Sequence, residues 1–163
     1  MATLLHVAGL EGTSEAFRRR LIDVTKARGL SADFLAAVMS FETGGKFEPG
    51  FYPSSGSVGL IQFTSVAAKA IGRTIGELAA MSAVEQLDEV GRYFDYVEKT
   101  FGKKVKSLDD HGLAVFAPAF IHDPRSPAAV AYKAPGGVTV AKYLGILHNR
   151  VADALTRPRL EVG

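Results

Sequence analysis

The run from Ser82 to Phe101 constrains the fold more than any other. Ser82-Ala83-Val84-Glu85 has the spacing of a capping box, in which a hydroxyl and a carboxylate satisfy each other's backbone N–H groups. Behind it Val84, Leu87, Val90, Phe94, Val97 and Phe101 recur at helical spacing and form one apolar stripe. A helix of this kind is stable only against partners with matching faces, and the rest of the chain supplies them. Thr13 reads as the N-cap of a helix over 14–28 carrying Phe17, Leu21 and Val24. Ser31 opens a helix over 32–43, and another spans 65–71 before Gly72. Thr74-Ile75-Gly76-Glu77 is a second capping box. Ser107 starts a helix through Leu113 and Phe116 that breaks at Pro118, and a last one covers about 140–155. Strand signals are weak, and only the loop at 50–63 has room for a short hairpin. The expected class is α+β, predominantly helical, in one domain over 1–163; that length is enough for a single core.

One residue fits this pattern badly. On the 32–43 helix, Glu42 falls about 20° from Leu35 and lies between Val38 and Met39 on the wheel. It therefore points where the core should be. It also occupies the last turn, where the helix dipole and unpaired carbonyls disfavour negative charge. Desolvation and dipole both predict a raised pKa. Gly44 and Gly45 then end the helix beside it. A carboxyl kept neutral in an apolar cleft is the group that protonates the leaving oxygen in glycosidic bond cleavage. The plainer alternative is a boundary glutamate whose tip reaches water.

Composition narrows the function classes. Nineteen Lys and Arg against seventeen Asp and Glu give a net charge of +2, far from the density of a dedicated nucleic-acid binder. Arg18-Arg19-Arg20 and Lys103-Lys104-Val105-Lys106 are the dense basic runs, and solvated faces explain them more simply than a polyanionic wall does. Cysteine is absent, which excludes disulfides and thiolate-held zinc. His6, His111, His122 and His148 lack the spacing of a metal-dependent amidase, and there is no phosphate-binding loop or dinucleotide fingerprint. No metal or organic cofactor is implied. No stretch is long and apolar enough for membrane insertion. MATLLHVAGLEG has neither the basic lead nor the apolar run of a signal peptide.

The phrases "FETGG" and "SGSVGLIQF" together resemble the signature of the goose-type lysozyme and lytic transglycosylase superfamily. In that group a helix ends in a catalytic Glu followed by Ser or Thr and Gly, and a Gly-Leu-(Met/Ile)-Gln phrase comes shortly after. "VAAKAIGRTIGELAAMSAVEQLDEVGRYF" and "LAVFAPAF" sit where the later helices of phage-borne members would, so the likeness covers roughly residues 30–145. The resemblance implies a lysozyme-like fold. It also implies cleavage of peptidoglycan at the β-1,4 bond between N-acetylmuramic acid and N-acetylglucosamine, with Glu42 as general acid. Gln62 would contact the glycan or hold the loop, and Gly59 would let backbone approach the sugar. Ser54, Ser55 and Ser57 are candidates for an N-acetyl group, or simply turn formers. Tyr52 is a candidate stacking ring, or a surface turn residue.

One departure stands out. Many members carry Ala-Tyr-Asn-Ala-Gly in the cleft, where this chain has Val115-Phe116-Ala117-Pro118-Ala119. Phe116 keeps a ring for the sugar or for Glu42 but loses the phenol's hydrogen bond. A single acid suits a lytic transglycosylase. The alternatives are a hydrolytic muramidase or chitinase-like endolysin using Glu48 as second carboxylate, and a non-catalytic wall-binding virion protein. Asp88, Asp109, Asp110 and Asp123 are more remote carboxylates that read as helix-start acids. The implied partners are peptidoglycan strands and, for a phage product, tail or virion proteins. The implied setting is the phage virion, or the host cytoplasm before release to the wall.

Overall fold

The computed structural model describes residues 2–52 and 56–163. Among them are seven α-helices: α1 (Glu15–Lys26), α2 (Ala32–Glu42), α3 (Ser65–Ala70), α4 (Ile75–Ala79), α5 (Ala83–Phe101), α6 (Leu108–Phe116) and α7 (Val140–Ala154). A two-stranded antiparallel sheet pairs β1 (Ala2–Leu4) with β2 (Leu160–Val162), with Thr3 opposite Glu161. The chain is thus predominantly helical with a small sheet, but the sheet joins the two ends of the chain. At 50–63 the described residues hold one isolated antiparallel bridge, between Val58 and Phe63. Strands of three residues are too short for alternation to register in a sequence.

The caps follow the hydroxyl signals closely. Capping boxes at Thr74, Ser82 and Ser107 all form, the last with Asp110 as the returning carboxylate. One shift occurs at α1: Ser14, not Thr13, accepts from the Phe17 N–H, while the Thr13 hydroxyl donates to the Leu10 carbonyl.

α2 is the central helix. Residues Leu35 through Ser40 are all buried, so it is enclosed on every side rather than striped. α1, α6 and α7 pack around it. Two polar ties fix its position. His111 on α6 accepts the Ser31 N–H through Nε2 at 3.0 Å and donates through Nδ1 to the Ser107 carbonyl. Arg150 on α7 donates to Ser40 Oγ at 2.7 Å. α6 and α7 meet at Gly112, where any Cβ would run into Leu147. That close approach brings the C-terminal end of α6 onto the start of α7, beside the end of α2.

Candidate functional site

At the junction of α2, α6 and α7 lies a cavity of about 490 Å³ lined by Phe41, Glu42, Ser57, Ile61, Gln62, Thr64, Val115, Phe116, Tyr132, Ala134, Pro135, Val138 and Tyr143. Glu42 is the one carboxylate in this lining. Glu42 is the last residue of α2, which is buried on every side from Leu35 to Ser40 rather than along the expected stripe. Desolvation pushes its carboxyl up to about 7, and one hydrogen bond, donated by Tyr143, opposes that rise. The last-turn carbonyls expected to lie open are in fact satisfied. Thr43, Gly44 and Gly45 donate their N–H groups to the carbonyls of Met39, Phe41 and Ser40. Burial therefore sets the pKa without help from unpaired carbonyls.

Tyr143 is the residue that sequence reasoning missed. Its Oη donates to Glu42 Oε2 at 2.7 Å, across 101 residues of chain. Burial, together with the neighbouring carboxylate, holds the phenol well above its usual pKa, so it remains a donor. Phe116 lies half-buried and stacked on the Tyr143 ring, at 4.3 Å and 21°. Phe41 meets the same ring edge-on at 5.3 Å. Phe116 offers Glu42 no hydroxyl; the phenol that meets the carboxyl comes from α7, with the Phe116 ring stacked on it. A signal was present: Tyr143 shares a helical stripe with Val140, Leu144 and Leu147, and a tyrosine on a buried stripe needs a partner for its hydroxyl.

The loop residues divide. Ser57 and Gln62 line the cavity as expected. The Gln62 amide nitrogen donates to the carbonyls of Phe51 and Gly59, at 3.1 and 3.0 Å. It holds the loop, and its amide oxygen accepts no hydrogen bond among the described residues. Gly59 has a different role from the expected one. Its φ is +83°, and a Cβ would collide with the Gln86 side chain and with the Pro49 carbonyl. It makes room for protein, not for a sugar. Gln86, buried on α5, accepts from Leu60 N–H and donates to the Pro49 and Leu78 carbonyls. It pins the whole loop, and a polar residue four before Val90 on the apolar stripe marked it in the sequence. Tyr52 is 58% exposed and lies outside the cavity lining, which makes it a surface residue. Glu48 is also exposed and outside the lining. Ser54 and Ser55 lie outside the described residues.

The cavity lining combines two chemistries: the Gln62 amide with the Ser57 and Thr64 hydroxyls, and the rings of Phe116, Tyr132 and Tyr143. A pyranose presents hydroxyls at its rim and C–H groups on its faces, and such a cleft matches both. The four histidines are dispersed. His6 pairs with Glu11, His122 with Asp110 and His148 with Asp109, while His111 is the internal tie described above. Among the described residues no three His, Asp or Glu side chains come together as metal ligands, and no helix is long and apolar enough to cross a membrane. Neither a protein-family model nor a curated protein sequence matches the chain.

Proposed function

We propose that this protein cleaves the glycan strand of bacterial peptidoglycan as a lytic transglycosylase of lysozyme-like fold, with Glu42 as its single acid and base. The observation that carries this reading is a carboxyl with a pKa near 7 that is the one acid in an amide- and aromatic-lined cleft. A carboxyl pushed up to about 7 keeps a protonated population near neutral pH, which is the condition for general-acid catalysis. The proton goes to the glycosidic oxygen between N-acetylmuramic acid and N-acetylglucosamine, and the C1–O bond breaks as positive charge builds on the ring. The Glu42 carboxylate then removes the proton from the muramic acid's own 6-hydroxyl. O6 closes on C1, giving a 1,6-anhydro sugar, and Glu42 is protonated again. No water is consumed. Tyr143 steadies the carboxylate in the interval when it is charged.

Placing Glu48 outside the cavity lining removes the nearest candidate for a water-activating base and favours the intramolecular route. Peptidoglycan as the particular glycan rests on the motif resemblance, as do the phage setting and its virion partners. The test is mass spectrometry of purified peptidoglycan digested by the parent and by Glu42→Gln. Anhydro-muropeptides, one water lighter than hydrolysis products, are expected from the parent and none from the variant. Hydrated reducing ends alone would replace the transglycosylase with a hydrolase. Wall binding without any cleavage would point to the non-catalytic virion protein.

A further inference from the structure

Residues 126–138 form a strap that supplies Tyr132, Ala134, Pro135 and Val138 to the cavity lining. Four backbone hydrogen bonds lie within it: Ala129 to Ser126, Val130 to Pro127, Ala134 to Val138 and Gly137 to Ala134. An isolated bridge between Lys133 and Thr139 closes its end. Side-chain packing also holds it to the body. Val130 is buried, and Tyr132 packs against Phe116 at 5.9 Å and 86°, and against Phe120 at 5.4 Å and 46°. Tyr132 nonetheless keeps 37% of its surface exposed, and it lines the Glu42 cavity. No described residue hydrogen-bonds its phenol.

A ring that only sealed the strap would bury itself. Instead Tyr132 stands almost perpendicular to Phe116, which is itself parallel to Tyr143. The three rings make a right-angled aromatic corner in the same lining as Gln62 and Glu42. We propose that Tyr132 is a substrate-positioning residue: it packs against the C–H face of one N-acetylated pyranose. The chemistry recognised is a β-1,4-linked N-acetylhexosamine chain, and the role rests on the glycan-cleaving reading above. Electron-rich aromatic faces attract polarised C–H groups, and the free phenol is left for a sugar hydroxyl or water.

The chain has no tryptophan, so Tyr132→Trp introduces one fluorophore at the proposed contact. In a Glu42→Gln background, which prevents turnover, titration with a soluble N-acetylglucosamine oligomer should shift or quench its emission. With Glu42 intact, Tyr132→Ala should raise KM for solubilised glycan strands about 5- to 10-fold, with kcat changed by no more than about twofold. Tyr132→Phe should keep KM near the parental value, since the face is retained. The role is overturned if Tyr132→Ala matches the parent in KM, or if calorimetry shows the oligomer bound while the Tyr132→Trp emission stays constant. Parental protein that neither binds nor cleaves any glycan would instead remove the underlying function, and the role of Tyr132 with it. That outcome is visible without any variant at position 132.

Discussion

Glu42 and Asp110 are both carboxylates withdrawn from water, and they end in opposite states. Burial pushes up the pKa of each. At Glu42 a single donor, the Tyr143 hydroxyl, opposes it, and the carboxyl rises to about 7. At Asp110, only 6% exposed, the N–H groups of Lys106 and Ser107 and the ring of His122 all donate to Oδ2. They outweigh desolvation and hold the pKa below its usual value. Burial alone does not make a proton donor; burial with too few donors does. Asp110 also borders a cavity, of about 210 Å³ and rich in charged groups. Its carboxylate is occupied with closing a helix start.

The contrast can be broken most visibly at Glu42. Glu42→Gln should lower peptidoglycan cleavage by roughly 10² to 10⁴-fold with no loss of fold, measured as clearing of a wall suspension. Equal clearing by the variant would make Glu42 a bystander.

The same variant should be more stable than the parent at pH 8. The raised pKa means that the folded state holds the proton more tightly than the unfolded chain. Glu42 therefore costs nothing below its unfolded pKa of about 4.5, and penalises the fold progressively as pH rises through about 7. A span of that size corresponds to at most about 3 kcal/mol. Denaturant melts of both proteins at pH 4 and pH 8 should agree at the lower pH and diverge at the higher.

Asp110 should behave in the reverse sense. Asp110→Ala removes a capping box and the His122 contact, and should destabilise by about 2 kcal/mol at pH 7. Cleavage per folded molecule should be unchanged. Because its folded pKa is depressed, Asp110 stabilises above its unfolded pKa, and that contribution fades as pH falls through the folded one. The penalty of the substitution should shrink in acid.

The smallest effect is the sharpest probe of the acid. Tyr143→Phe deletes the hydrogen bond that holds the Glu42 pKa down. The alkaline limb of the pH–rate profile should move upward by up to about one unit, with a modest loss of kcat. A downward move would mean that the phenol favours the neutral carboxyl.

What the sequence disclosed follows the range of the interactions. Glu42 was legible because a carboxylate stood at the end of an apolar helix and before two glycines, although that helix is buried on every side and not along the stripe that was read. The capping boxes were legible because each is closed within four residues. Tyr143 on Glu42 was not, since no local pattern links positions 101 apart. Gly59 misled for a related reason. Its positive φ was foreseeable from glycine in a tight phrase, but the group pressed against it, Gln86, belongs to a different helix. The terminal sheet was hidden by both effects, being short and joining the two most distant stretches of the chain.

That sheet has a practical consequence. Ala2 lies opposite Val162, so a short covalent tether would span the seam between them with little distortion. A cyclised form of the protein should melt at a higher temperature, since the opened polymer would have fewer conformations to explore. The cleft, with its walls built from α2, α6, α7 and the strap, would not be altered.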